Sequence, residues 1–334
     1  MRTIKIEKIY KSYTPKPKPP PQPPKGGANC GSPYCPPFRG LGGGMLGAAL
    51  QGISLEVKPG ELFGIIGPDG AGKTTLFRIL TTLLLPDGGS ASVCGLDVVR
   101  DWKEIRRRVG YMPGRFSLYQ DLSIEENLSF FASVFQTTVK ENYDLIRDIY
   151  VQIEPFKKRR AGKLSGGMKQ KLALCCALIH RPEVLFLDEP TTGVDPVSRT
   201  EFWDMLDRLT KQGITILVST PYMDEASRCD RIALMRSGEF LSVDTPAHIR
   251  QSFSKTLYSI HSSEMFKLLG DIRKWEGSES CYAFGDSHHL TLKPDAPGIQ
   301  ALQNLLLEKG YKDIGIKLID PSIEDCFMEL IANH

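Results

Sequence analysis

The chain opens on an alternation of apolar and polar residues. Met1-Arg2-Thr3-Ile4-Lys5-Ile6-Glu7-Lys8-Ile9 has a period of two, which predicts a half-buried strand and differs from the continuous apolar core of a signal peptide. The alternation resumes at Ile53-Ser54-Leu55-Glu56-Val57. Between the two lies a segment, 14 to 47, that cannot build a core: Pro15 to Pro24 is nearly a polyproline tract and Gly26 to Gly47 is rich in glycine. It reads as an extended excursion between two strands, an inert loop in preference to a proline ligand for an SH3-type partner. From Glu61 onward, the apolar runs Leu62–Ile66, Val184–Leu187, Ile214–Val218 and Ile232–Met235 alternate with amphipathic helical stretches. That pattern predicts an α/β fold with a mainly parallel sheet covered on both faces.

Between about 115 and 180 the strands give way to helical periodicity, and Ser123-Ile124-Glu125-Glu126 reads as a capping box. A helical subdomain is therefore expected as an insertion in the sheet domain. The last ninety residues change again. Strands are expected at Thr256–Ile260, Cys281–Phe284, His289–Leu292 and Ile314–Ile319, with helices at Glu264–Trp275 and Ile299–Lys309. The order β-α-β-β-α-β is that of a ferredoxin-like unit, followed by a short helix from Ser322. The expected division is a large domain over 1–245 and a small α+β accessory domain over 246–334.

Composition adds exclusions. With 42 basic and 39 acidic residues among 334, the net charge of +3 gives no electrostatic case for nucleic acid as a partner. Arg106-Arg107-Arg108 and Lys157-Lys158-Arg159-Arg160 read as solvated helix faces. No apolar run approaches the roughly 20 residues that span a bilayer, so a membrane role would come through a partner and the chain is expected in the cytoplasm. Eight scattered cysteines, with Cys175-Cys176 inside an apolar stretch, fit a reducing compartment. Cys30 and Cys35 form a single C-x₄-C with no second pair, a weak metal signal read as structurally irrelevant. His288-His289 are taken as residues flanking a hairpin turn.

Three motifs carry chemistry. Gly67-Pro68-Asp69-Gly70-Ala71-Gly72-Lys73-Thr74 follows an apolar strand and opens a helix, the setting of a phosphate-binding loop. Its glycines let backbone N–H groups converge on phosphate oxygens at a helix N-terminus. Lys73 is placed to reach the β and γ phosphates of ATP, and Thr74 to ligate Mg²⁺. Val184-Leu185-Phe186-Leu187-Asp188-Glu189 is an apolar strand ending in two acids, with Asp188 assigned to Mg²⁺ and Glu189 to polarising an attacking water. The third is Leu164-Ser165-Gly166-Gly167-Met168-Lys169-Gln170, which lies between the other two in sequence.

Together with Thr75, Pro190 and Thr192-Gly193-Val194-Asp195-Pro196, these segments resemble the nucleotide-binding subunit of ATP-binding cassette (ABC) transporters over about residues 1 to 245. Gly110-Tyr111-Met112-Pro113, Phe116-Ser117-Leu118-Tyr119 and Pro321-Ser322-Ile323-Glu324-Asp325 place the likeness among ATPases of drug or lipid export systems. The resemblance implies a P-loop NTPase with a RecA-like parallel sheet and an antiparallel β subdomain. It implies nucleotide contacts from Gly67, Pro68, Asp69, Gly70, Ala71, Gly72, Lys73, Thr74 and Thr75, with Tyr13 stacking on adenine. It also implies a head-to-tail dimer, homodimer or paralogue pair, in which Ser165, Gly166, Gly167 and Asp195 serve the nucleotide held by the other chain. A separate integral-membrane permease, a periplasmic adaptor reached through it, and a place on the cytoplasmic face of the inner membrane complete the expectation.

Two departures bear on rate. Gly114 stands where the family usually has a glutamine, and Pro221 where it usually has a histidine on the γ-phosphate. Gln120 is six residues past Gly114 and is not assumed to substitute. Losing one donor to a transferring phosphate costs on the order of 3 kcal/mol, which predicts slow turnover. Two alternatives follow: a regulatory cassette that binds ATP with little hydrolysis, or a soluble cassette acting on nucleic acid or ribosomes. Import rather than export also stays open within transport.

Overall fold

The computed structural model describes residues 3–13, 48–115 and 117–333. The proline- and glycine-rich segment at 14–47, with Cys30 and Cys35, and Phe116 lie outside the described residues.

Along the chain, β1 (Ile4–Ser12) and β2 (Ala48–Val57) pair antiparallel, and β3 (Leu62–Ile66) leads into helix α1 (Lys73–Leu80). β4 (Gly88–Val93), β5 (Leu96–Asp97), α2 (Trp102–Arg108) and β6 (Val109–Met112) follow. Three helices, α3 (Ile124–Val134), α4 (Tyr143–Tyr150) and α5 (Gly166–Leu178), form the helical insertion. β7 (Val184–Asp188), α6 (Pro196–Lys211), β8 (Thr215–Thr220), β9 (Arg231–Arg236) and β10 (Glu239–Asp244) return the chain to the sheet.

The central sheet has six strands in the order β10-β9-β3-β8-β7-β6, parallel throughout except for the antiparallel edge pair β10-β9. β1, β2, β4 and β5 make a separate antiparallel sheet, order β2-β1-β4-β5. Why β7 reads as a solid apolar run is plain from its packing. Leu185 and Leu187 face the core shared with the helical insertion, whereas Val184 and Phe186 face the core shared with α1 and the antiparallel sheet. Both faces are buried, so alternation disappears from the sequence.

The helical insertion starts where the capping box does. The Ser123 hydroxyl accepts from the Glu126 N–H at 3.2 Å, and the Glu126 carboxylate accepts from the Ser123 N–H at 2.7 Å. Ser123→Ala leaves a nearly buried helix end without its side-chain acceptor and is expected to lower stability by about 1 kcal/mol, measured by urea denaturation.

After α7 (Pro246–Gln251) comes β11 (Leu257–His261), α8 (Met265–Lys274), β12 (Ser278–Phe284), β13 (Ser287–Leu292), α9 (Ile299–Glu308) and β14 (Gly315–Ile319). These strands form a third, antiparallel sheet in the order β12-β13-β11-β14, with its own core around Ile260, Leu268, Leu290 and Leu306. The final helix, α10 (Ile323–Asn333), behaves differently. Ile323, Cys326 and Phe327 join the main core of the cassette beside Ala226, Cys229 and Ile249. Apolar packing therefore continues across the expected boundary at 245. His288 and His289 are the second and third residues of β13, just after the turn of the β12–β13 hairpin: the His288 ring meets Met265 O at 2.7 Å, and His289 Nδ1 meets the buried Asp325 carboxylate at 2.7 Å.

Candidate nucleotide site

The loop after β3 is shaped by backbone crowding. A Cβ on Gly67 would sit 2.2 Å from Met235 O. Gly72 combines φ of +112° with a Cβ position 2.4 Å from Ala49 O, so no L side chain fits there. The loop is pinned by Gly67 N–H to Thr220 O at 3.3 Å and by Gly238 N–H to Ala71 O at 2.8 Å. Lys73 is 3% exposed, and its ammonium donates to Gly67 O at 2.7 Å and Pro68 O at 3.0 Å while pairing with Glu189 Oε1 at 3.1 Å. The Tyr13 hydroxyl lies 3.4 Å from Thr75 Oγ1, so the half-exposed ring of Tyr13 stands at the outer edge of the same loop.

β7 delivers its acids to the same place. Asp188 is 3% exposed and accepts from Thr74 Oγ1 at 3.1 Å and Ser219 Oγ at 2.7 Å. Burial first, and then the charge of Asp188, push the Tyr111 phenol up to about 12. Glu189 takes a left-handed backbone, φ +50°, and its N–H is held by the Ser219 hydroxyl at 3.0 Å. A hydroxyl and a carboxylate in contact at the end of a phosphate-type loop are the hard oxygen donors that Mg²⁺ takes, and Thr74 and Asp188 fit that ion.

The third motif opens α5, and its Gly166 and Gln170 line a groove that also reaches Glu189. Ser165 caps α5, its hydroxyl accepting from the Met168 N–H at 3.4 Å, and Gln170 Nε2 donates to Pro190 O. Gly167 packs on Ser198, and Asp195 caps α6 by accepting from the Ser198 N–H at 3.0 Å. That N–H, and then the Ser198 hydroxyl, hold the Asp195 carboxyl below the usual carboxylate range. Ser165, Gly166, Gly167 and Asp195 are thus neighbours of one another, and the described contacts of the Ser165 and Asp195 side chains run to their own helix ends rather than to Lys73.

Gly114 has a local reason. A Cβ there would lie 2.9 Å from Asp188 O, so the loop after β6 approaches the acidic strand end too closely for a larger residue without movement. Pro221 follows the buried Thr220 and supplies no side-chain donor. Two residues escape the sequence reading. Ser219 holds both Asp188 and Glu189, and the buried Glu225 accepts from the hydroxyls of Thr191 and Thr220. A polar pair, Ser219-Thr220, ending an otherwise apolar strand was the available signal.

Between α3, α5 and the edge strand β6 runs a groove of about 520 Å³, lined by Tyr111, Met112, Phe131, Val134, Gln170 and Ala173 among others. Among the described residues no helix is long and apolar enough to cross a membrane.

Residues 50–192 match the family model described as ABC transporter. The probable multidrug ABC transporter ATP-binding protein YbhF of Escherichia coli is 39% identical over 294 residues, 86% of this chain and 50% of that protein, so the chain spans half the length of this relative. The daunorubicin resistance ATP-binding protein DrrA2 of Streptomyces coeruleorubidus is 33% identical over 302 residues, 86% of this chain and 91% of that protein. The Nod factor export ATP-binding protein I of Burkholderia thailandensis is 40% identical over 206 residues, covering 61% and 68% of the two chains. Among solved structures, cbiO1 of Clostridium perfringens, described as part of the ABC transporter complex cbiONQ, aligns with a TM-score of 0.59 at 25% identity over 75% of this chain and 91% of its own. The ATP-binding cassette MJ0796, solved as a dimer bound to ADP and Pi, shares the fold, with a TM-score of 0.58 at 22% identity over 72% and 98%. With the phosphate loop, the acidic strand end and the capped α5 in this arrangement, the chain belongs to the ABC transporter family, among its ATP-binding subunits.

Proposed function

We propose that the chain is the ATPase subunit of an exporter, hydrolysing ATP to ADP and phosphate to drive a drug, lipid or other small molecule through a separate membrane permease. The observation that carries this reading is the convergence of Lys73, Thr74, Asp188 and Glu189 at one loop. Phosphate oxygens compete for the Lys73 ammonium, which releases the Glu189 carboxylate to accept a proton from the attacking water. Backbone N–H groups of Gly70 to Thr75 orient the phosphates, and Tyr13 stands where an adenine ring can rest. Thr74 and Asp188 would hold Mg²⁺, which supplies charge neutralisation on the phosphate oxygens when bound.

Ser165, Gly166, Gly167 and Asp195 act on the nucleotide of a second cassette, a homodimer mate or paralogue, so ATP closes the pair and hydrolysis reopens it. The groove beside β6 receives the permease on the cytoplasmic face of the inner membrane, with a periplasmic adaptor beyond. Residues 246–334 serve as an accessory domain. Gly114 and Pro221 favour slow turnover within this scheme. The test is phosphate release by the purified full chain, whose rate per chain is expected to rise with protein concentration as dimers form. A rate independent of concentration, or none with Mg²⁺ and ATP, would count against it. Val134→Glu places an unpaired charge on the groove wall and is expected to reduce permease copurified from membranes about tenfold or more.

A further inference from the structure

Glu225 lies in a short 3-10 turn, Met223–Arg228, that follows the loop after β8. It is 4% exposed, far from the usual place of a glutamate, and every oxygen is engaged. Oε2 accepts from Thr220 Oγ1 at 2.5 Å and from Thr191 Oγ1 at 3.1 Å. Oε1 accepts from Arg199 Nε at 3.0 Å. Each partner belongs to a different part of the site. Thr191 is two residues past Glu189, Thr220 passes its carbonyl to the Gly67 N–H, and Arg199 stands one turn into α6, the helix that Asp195 caps. Arg199 also lies over the Tyr222 ring at 4.3 Å, which closes the loop around Pro221 from the other side.

We infer that Glu225 is a positioning residue: its buried carboxylate fixes the turn carrying Glu189, the loop carrying Pro221 and the helix carrying Asp195 in one register. The inference rests on the hydrolytic reading above. The backbone at Glu189 is left-handed and is followed by Pro190, so the direction of its side chain depends on anchors on both sides. Ser219 holds the near side through the Glu189 N–H. On the far side, the described hydrogen bond from Thr191 to Glu225 ties the turn to the 3-10 segment. A reacting group displaced by about 1 Å loses rate by roughly a hundredfold, while nucleotide affinity, set by the phosphate loop, is not altered. A chain that lacks the usual histidine depends the more on this anchoring, because Pro221, which stands in that position, offers no side-chain donor.

The test uses the full chain with MgATP, comparing wild type, Glu225→Gln, Thr191→Val, the double variant and Thr191→Ser. Glu225→Gln and Thr191→Val are each expected to lower kcat about tenfold or more, with KM and the Kd of a fluorescent ATP analogue within about twofold. The double variant should be no slower than Glu225→Gln alone, since both break one link. Thr191→Ser keeps the hydroxyl and should recover most of the loss. Thr191→Val exchanges a hydroxyl for a methyl group and keeps the test alive if Glu225→Gln fails to fold. Unchanged kcat per folded molecule, losses that multiply in the double variant, or a parallel loss of kcat and nucleotide affinity would overturn the inference. If wild type itself releases no phosphate, the hydrolytic reading fails, and the inference is decided by MgATP-driven dimerisation in size-exclusion chromatography. There the variants should need several-fold more MgATP at unchanged Kd, and an equal midpoint overturns it.

Discussion

Glu189→Gln is expected to cut ATP turnover by at least about a hundredfold while nucleotide binding survives. The amide keeps the shape of the carboxylate but cannot take a proton from water, and positioned general bases contribute roughly 10²–10⁴-fold. Binding has a separate basis. Gly67, Gly72 and the Lys73 ammonium belong to the loop itself, and its anchors at Thr220 O and Gly238 N–H do not involve the Glu189 side chain. The variant also removes the anionic partner of Lys73 at 3.1 Å, leaving the ammonium with two carbonyls and more available to phosphate. Affinity should hold or rise, and a slowly hydrolysing pair of cassettes should accumulate as a dimer under MgATP. Phosphate release, fluorescent-nucleotide titration and size-exclusion chromatography read the three effects. Turnover within tenfold of wild type would remove Glu189 from the proposed role and leave the base to another group.

What could be read from the sequence divides along a physical line. Local pattern sufficed where one element met one demand: the apolar runs of β3, β7, β8 and β9 are buried on both faces, and the capping box at Ser123 forms within four residues. The antiparallel strand β4 and the edge strand β6 carry no such signal. β4 begins Gly88-Gly89, with Gly89 at φ +79° against Lys8 O, so its strand geometry is imposed by pairing with β1. β6 contains Gly110, whose Cβ would lie 2.4 Å from Ala177 O, so a residue that reads as a breaker is the one that lets α5 pack closely. The site shows the same division. Lys73, Thr74, Asp188 and Glu189 lie in motifs and meet at one loop, whereas Ser219 and Glu225 gain their partners only through the parallel register of β7 with β8 and the turn after it.

The same tertiary logic bears on residues beyond about 245, read from the sequence as an accessory domain, because α10 packs into the core of the cassette. Truncation after Pro321, or Phe327→Ala, is expected to weaken the cassette itself. Phe327 is 6% exposed and packs in the main core with Ile323 and Cys326, so its removal leaves a cavity costing about 3–5 kcal/mol. α10 is fixed at its start by Ser322 and Asp325, whose carboxylate accepts from the Ser322 N–H at 2.8 Å and also meets His289 on β13. It therefore bridges the third sheet and the cassette. Its inner face rests on Ala226 and Cys229, one and four residues past Glu225, and on Ile249, whose carbonyl accepts from the Cys326 thiol at 3.5 Å. Loosening that face frees the 3-10 turn that holds Thr191 and Thr220, so the loss of stability should be accompanied by slower turnover. Urea denaturation and phosphate release on folded Phe327→Ala protein separate the two. Wild-type stability in the truncated chain would show α10 to be a passive cover, and normal turnover in a destabilised but folded Phe327→Ala protein would confine its role to packing.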